Sequence, residues 1–541
     1  MTSHSMRGGR RRALAAAAAA AAASVALSAC GAGAGGVIEE GDGTLPNHVP
    51  LTYVEPDVPG AGGAPDGYTS LPDSFTTIFD EPPGSGGSYT AMTPLWGPVP
   101  DTDNAYFRAV NEAMGTDIEF QISDGVTYGD KLATVLADEK NLPDWVSIPT
   151  WNFPPRFGQA VGSLFEDLTP FLAGDSVEKY SNLANIPTDS WRSCSWNGKI
   201  YGIPFPSGAG QRNAAFYRAD LIPDATMPTN ADEMLDFVTE NHRDGHWGTN
   251  DLWVFATQMF GVAPEWVVGD DGQLVHRVET PEYRAALEWM TELYASGAVH
   301  PDAVADNQAE GKQRFESGSV VITADGDGAW GEQVAKMATV DPDFEMAAIP
   351  VFAADGGDPV LYKSDAAAMC SYLKASDDAQ IEELLAAADF LASPFGTSEY
   401  MLVNNGVEGV HYELDEDNAP TKTDAGQAEV QPSYLFLVAP PETIANPQFP
   451  DYVEARVEWK NETTEYEVED PFYGIRVTEP NRFASLKLPF EDLEKDIARG
   501  RASLDDLDTA IETWRTSGGD ELREIYQDIL DSPSEDGGEE E

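Results

Sequence analysis

Side chains able to do bond-making chemistry are present in this chain, but not at spacings that would put them to work. No H-E-x-x-H, P-loop or G-x-S-x-G segment occurs. His242 and His246 stand four apart, yet Gly245 lies between them and the accompanying metalloprotease glutamate is missing. Asp325 and Asp327 lack the remaining ligands of a calcium loop, so no metal is expected. Gly31, Gly33 and Gly36 match G-x-G-x-x-G, but no strand precedes them. Gly326, Gly328 and Gly331 match it again after the apolar run 320–323. There Asp325 and Asp327 place negative charge where a pyrophosphate would sit, and no later ribose-binding acid follows. Neither run predicts a nucleotide cofactor. With 93 Asp and Glu residues, carboxylate pairs turn up everywhere and lend no weight to glycoside hydrolysis.

Aromatic rings are the better lead. The chain holds 12 Trp, 19 Tyr and 23 Phe, most of which must belong to cores. Those falling on loops after strands can present a flat apolar face to the C–H face of a sugar. Trp96, Trp151, Trp253 and Trp330 meet that condition. Asn152, Arg212, Asp325, Asp327, Glu408 and Tyr412 are the polar candidates that would pair with hydroxyls. Asp325, Asp327 and Glu408 would also suit a polyamine, which keeps a cationic ligand open beside a sugar or a peptide.

Charge excludes one class of partner. Lys and Arg total 32 against 93 acids, a formal charge of −61. Such a surface repels nucleic acid and is indifferent to a neutral solute. The N-terminus carries Arg7, Arg10, Arg11 and Arg12, then an apolar run over 13–27 that is too short to span a bilayer. Small residues close it, so residues 1–29 read as a secretory signal. The mature chain would hold two further thiols, Cys194 and Cys370. An exported protein can pair them, but two cysteines alone leave the matter open.

The elements that must position these residues alternate. Residues 88–92, 118–122 and 145–148 read as strands, separated by helices with stripes at Tyr106, Val110 and Met114 and at Leu132, Val135 and Leu136. Asp103 is the expected cap of the first helix. This β-α-β-α-β order predicts a sheet with parallel strands, whose ligands bind beyond the strands' carboxyl ends. Asn197-Gly198 predicts a tight turn with positive φ. A short strand over 200–203 should stop at Pro204, and a glycine-rich segment leads to a second strand over 214–217. A helix stripe at Tyr283, Ala286, Leu287, Met290 and Leu293 follows. Ser503 and Asp506 make a capping box, and Gly518-Gly519 break the helix it starts. Residues 413–480 are acidic and carry no clear period.

Several of these stretches resemble one family. Gly198-Lys-Ile-Tyr-Gly-Ile-Pro204 followed by Tyr217-Arg-Ala-Asp-Leu221 is similar to the crossover of bacterial extracellular solute-binding proteins, the receptors of ABC importers. Leu142-Pro-Asp144 and Phe165-Glu-Asp-Leu-Thr-Pro170 resemble the same family, and Asn405-Gly-Val-Glu-Gly-Val-His-Tyr412 resembles its carbohydrate-binding lipoproteins (family 1), in particular the LplA-like group, as does the ending around 503–520. Leu27-Ser-Ala-Cys30 looks like a lipobox. The resemblance implies S-lipidation at Cys30, anchoring on the outer face of the cell membrane, and Trp330 on the cleft wall. It further implies a monomeric binding protein, not an enzyme, that hands an oligosaccharide to permease subunits. The fold it implies is α/β, periplasmic-binding-protein-like (type II), with two discontinuous lobes around mixed sheets and a hinge between them. The expected boundaries are 30–87 for lipidated cysteine, tether and arm, 88–206 plus 350–400 for lobe 1, 207–349 plus 401–531 for lobe 2, and 532–541 for an acidic tail.

Overall fold

A computed structural model describes residues 44–531, apart from 155, 244, 308, 309, 417 and 478. The expected leader, Cys30 and the tail 532–541 lie outside the described residues. Nine strands build two central sheets: Ser88–Leu95 (β1), Asp117–Asp124 (β2), Trp145–Pro149 (β3), Gly202–Pro206 (β4), Asn213–Arg218 (β5), Trp247–Thr249 (β6), Val320–Gly326 (β7), Met346–Ala348 (β8) and Ala367–Leu373 (β9). The first sheet has the order β2-β1-β3-β9-β4. Strand β1 runs parallel to β2 and β3, whereas β9 is antiparallel to β3 and β4. The second has the order β8-β5-β7-β6, with β6 and β7 parallel and the other pairs antiparallel.

Local chemistry accounts for the elements around the first sheet. Helix Ala105–Met114 buries Tyr106, Phe107, Val110 and Met114 on one face. Its cap is Asn104, whose side chain accepts from Phe107 N at 2.9 Å, and not the expected Asp103. Asp103 is mostly exposed and pairs with Arg108 at 2.6 Å. Asn197 and Gly198 both take positive φ (53° and 72°), closing a two-residue hairpin between Ser195–Trp196 and Lys199–Ile200. Strand β4 runs through Pro204, where the sequence predicted a stop. It is an edge strand paired to β9 alone, so the missing N–H of Pro204 costs no second ladder. Cys194, just before the hairpin, is disulfide-bonded to Cys370 on β9, with S–S 2.01 Å.

The chain passes between the sheets three times. It leaves after β4 through 207–212, returns between β8 and β9, and leaves again after Val438. The first core gathers Ala91, Trp145, Leu373 and Leu385 with Val403, Val430, Tyr434 and Val438. Residues 401–438 therefore pack with the first sheet, a correction to their expected place in lobe 2. The cause is visible at Tyr434, whose hydroxyl donates to Asn111 Oδ1 at 2.7 Å on helix Ala105–Met114. The second sheet is covered on one side by Met234, Phe255, Met290 and Leu293. On its other side Phe216 and Trp330 pack with Val453 and Val457 of helix Pro450–Thr464. A further core joins helix Pro281–Ala295 to the C-terminal helices through Tyr283, Trp514 and Tyr526.

The N-terminal arm is stitched to the body. Asp66–Tyr68 pairs in parallel with Thr443–Ala445, and Tyr68 stacks on Phe395 with centroids 4.1 Å apart. Glu399 accepts from Ile78 N and Phe79 N, both at 3.1 Å, and Glu383 accepts from Gly87 N at 2.7 Å.

Candidate functional site

The strands β3, β4 and β7 all point their carboxyl ends at one cavity of about 610 Å³. Trp151 follows β3, Phe205 and Ser207 close β4, and Gly326 to Gly328 turn out of β7. Arg212 enters from the segment that joins the two sheets, and Asn213 from the start of β5. Tyr400, Asn404, Glu442 and Arg456 complete the wall. A cavity at the carboxyl ends of strands from two sheets is where an α/β binding fold holds its ligand.

Two rings, Trp151 and Phe205, line the cavity, and Trp96 and Phe436 pack behind them. Trp96 and Trp151 are 42% and 60% exposed, with centroids 5.9 Å apart. Trp96 meets Phe436 edge-on at 5.8 Å, and Phe436 meets Phe205 at 6.2 Å. Gly125 makes room for this arrangement: a Cβ there would fall 2.4 Å from the Trp96 ring. Exposed indoles held in place by their neighbours offer flat faces without having to be ordered by a ligand.

One wall is ionic. Asp327 Oδ2 accepts from Arg456 Nε at 3.1 Å and Nη2 at 2.7 Å, and Lys460 Nζ lies 3.1 Å from the same oxygen. Arg456 Nη2 also donates to Glu442 Oε1 at 2.8 Å. Lys460 is fully buried and donates to the carbonyls of Gly210 and Gln211 in the connecting segment. Burial alone would raise the Asp327 carboxyl, but the two cations beside it hold it below its ordinary value. The Arg456 guanidinium is correspondingly held well above its own, against the effect of burial.

The other residues singled out by sequence lie elsewhere. Trp330 is 3% exposed, donates its indole N–H to Met346 O at 2.9 Å and packs between Phe216 and Tyr452. It is a core residue, not a cleft wall, because its ring turns back onto β5 and β8. Trp253 packs edge-on against Tyr283 at 5.9 Å and stays outside the cavity. Asn152 sits beside Gly129, also off the lining. Asp325 is exposed and accepts from Gly326 N at 2.7 Å. In the 405–412 motif Glu408 points to solvent and Tyr412 is buried. The working group there is His411, which accepts from Val407 N at 2.9 Å and reaches Glu429 at 3.2 Å. Glu429 in turn accepts from Ala105 N at 2.9 Å, so the motif caps a helix and does not reach the cavity. Trp151, Arg212 and Asp327 are thus brought together, with Trp96 behind Trp151. Sequence reasoning missed Phe205, Asn213, Tyr400, Asn404, Glu442 and Arg456. Phe205 directly follows the crossover motif that closes at Pro204. Among the described residues no group of three or more His, Cys, Asp or Glu is arranged to hold a metal ion.

The family model described as bacterial extracellular solute-binding protein matches residues 105–401. The chain belongs to that family. This solute-binding protein is 22% identical over 502 residues to lipoprotein LipO of Bacillus subtilis (strain 168), covering 82% of this chain and 93% of that one. It is 22% identical over 467 residues to the polygalacturonan/rhamnogalacturonan-binding protein YtcQ of the same organism, covering 81% and 90%. Among solved structures, alginate-binding protein AlgQ2 superposes with a TM-score of 0.57 at 14% identity, over 85% of this chain and 100% of that one. The N-glycan transport solute-binding protein NgtS of Streptococcus pneumoniae gives 0.57 at 15% identity, over 83% and 100%. An HMO-binding solute-binding protein of Bifidobacterium longum infantis gives 0.58 at 15% identity, over 83% and 99%. The fold of this solute-binding protein is periplasmic-binding-protein-like, type II, with two lobes on mixed sheets. The cavity lies where the segments joining the sheets meet.

Proposed function

We propose that this solute-binding protein captures an oligosaccharide between its two lobes and delivers it to the permease of an ABC importer. The observation that carries this reading is that Trp151 and Phe205, backed by Trp96 and Phe436, share the lining of a cavity open to solvent with Arg212, Asp327, Glu442 and Arg456. Such rings take the apolar faces of sugar units, and the polar groups take hydroxyls. The printed ligands of the relatives, polygalacturonan, alginate and N-glycan among them, are of that class. Ligand contacts on both lobes would favour the closed form, which is the form a permease would recognise. We assign the first lobe to 88–206 with 367–438 and the second to 207–349 with 443–531. Residues 1–29 act as the signal, and Cys30 carries the lipid that holds a monomer at the outer face of the membrane.

A hydrolase is disfavoured by the ionic wall. Glycoside cleavage needs one carboxyl kept protonated as the acid. Asp327 and Glu442 both bind the same guanidinium, and Asp327 is pushed the wrong way for that role. A polyamine site would need unpaired acids in the cavity, and Asp325 and Glu408 lie outside its lining.

A thermal-shift screen of the purified protein against oligosaccharides, polyamines and peptides tests the reading, since a ligand bound only by the folded state raises the melting temperature. A shift with an oligosaccharide that chromatography then recovers uncleaved is expected. Cleavage would make the protein a hydrolase, and a shift with polyamines alone would make it a cation receptor. Replacing Cys30 with Ser should release the protein from membranes; retention would remove the anchor.

A further inference from the structure

Cations are scarce in this chain, 32 against 93 acids, and an arginine is seldom far from a carboxylate. Arg212 is an exception at an informative place. Among the described residues its guanidinium has one side-chain hydrogen bond, Nη1 to Ser207 Oγ at 3.1 Å, and no ion pair. It is half-buried and lines the ligand cavity. A second cavity, of about 340 Å³, runs toward Arg277, Tyr362 and Asp470 and shares Arg212, Asn213 and Ser364 with the first. Arg212 therefore stands where the two meet.

The other charges that line the two cavities are accounted for. Arg456 is held by Asp327 and Glu442, Arg277 by Glu494 at 3.2 Å, and Lys363 by Glu469 at 2.8 Å. Asp365 is paired with Arg476 at 3.3 Å. Asp470 accepts from Phe472 N at 2.8 Å, and burial raises its carboxyl, which weakens its negative charge. The guanidinium of Arg212 is left without a protein carboxylate at the edge of cavities of about 610 and 340 Å³. A positive charge kept half-buried and without a protein carboxylate loses hydration for nothing unless a ligand supplies the anion. Its planar fork matches a carboxylate at two points, which a hydroxyl cannot do.

We propose that Arg212 receives a carboxylate of the ligand, so that the oligosaccharide is an acidic one built from uronic acid units. The proposal rests on the reading that the cavity binds an oligosaccharide and narrows it to a substrate class. The protein would select such a sugar locally, in spite of a net charge of −61 that repels it at a distance.

The test is calorimetric titration of the purified protein with uronic acid oligomers of several linkages, each beside its carboxyl-reduced counterpart. At least one acidic oligomer should bind about 10-fold or more tighter than its neutral twin, the range expected of a charge-assisted hydrogen bond. R212Q should remove that difference, and a thermal melt matching the parent's shows that the variant is folded. R212K should restore only part of it, because an ammonium lacks the fork. Equal affinity for the acidic and neutral twins, or an unaltered preference in R212Q, overturns the proposal and leaves an oligosaccharide receptor standing. If neither acidic nor neutral oligomers bind, the oligosaccharide reading falls and this proposal with it.

Discussion

Replacing Asp327 by Asn should reveal how the buried charges at the joint between the lobes are balanced. In the parent chain one carboxylate oxygen serves Arg456 at 2.7 Å and Lys460 at 3.1 Å. Arg456 would keep Glu442 at 2.8 Å and the Tyr452 hydroxyl at 3.1 Å. Lys460, fully buried, would keep only two backbone carbonyls, at 3.0 and 3.4 Å. The loss thus falls mainly on an ammonium stripped of its counter-ion, and breaking a buried pair from one side costs about 3–5 kcal/mol. An amide oxygen retains part of the hydrogen bonding, so the lower end, about 3 kcal/mol, is expected. Urea unfolding at pH 7 should show a lower midpoint with an unchanged slope. Acid supplies the sign. The folded Asp327 carboxyl lies below its unfolded value, so its contribution is complete above the unfolded value near 3.9 and disappears as pH falls through the folded one. The gap between parent and variant should therefore close below about pH 4. Adding Lys460→Met to the variant should recover stability, since the stranded charge is then gone. A penalty under about 1 kcal/mol at pH 7, or a gap that persists into acid, would refute the account.

Trp330→Ala should destabilise the fold by about 3–5 kcal/mol while the folded fraction keeps its ligand affinity within about twofold; a tenfold loss of affinity at full stability would put the ring back in the cleft. Trp151→Ala should do the opposite, with stability within about 0.5 kcal/mol of the parent and ligand affinity about tenfold weaker by calorimetry. Burial pushes Asp389 up to about 7, against the amides of Asn182 and Leu183 that its side chain accepts. Its folded value exceeds the unfolded one, so the stability it supports is full below about pH 4 and declines as pH rises through 7. Asp389→Asn should flatten the stability profile in that window, and an unchanged slope would assign it to another group.

What the sequence disclosed was local. Turn chemistry placed Asn197 and Gly198 at positive φ, and Ser503 and Asp506 do form the capping box ahead of helix Leu504–Trp514. Apolar stripes found the helices that bury one face. They failed at helix Pro450–Thr464, where the buried set includes Lys460 and Thr463 beside Val453 and Val457, so polarity no longer tracks exposure. The ionic wall was illegible for the same reason and one more. Asp327 and Arg456 are 129 residues apart, and in so acidic a chain neither Glu442 nor Asp327 stands out by type. Trp96 and Trp330 look alike as residues on loops after strands. What separates them is whether a backbone carbonyl lies in reach of the indole N–H, as Met346 O does for Trp330. Motif matching put Glu408 and Tyr412 at the cleft, because a tight glycine turn resembles a binding loop whether it serves a ligand or, through His411, a helix end.

The bond between Cys194 and Cys370 closes a loop spanning 176 residues, and strands β5 to β8 all lie within it. The second sheet is therefore a bight of chain hung from a covalent clasp that both ends of the excursion share. In chain-entropy terms, closing a loop of this length removes on the order of 5 kcal/mol of freedom from the unfolded state. A protease nick anywhere between β5 and β8 would leave two fragments that part only on reduction. Helix Pro450–Thr464, which packs on that sheet, lies outside the ring. The second lobe is thus finished by a stretch of chain that the clasp does not hold, so unfolding can begin by peeling that stretch away while the sheet beneath stays tied.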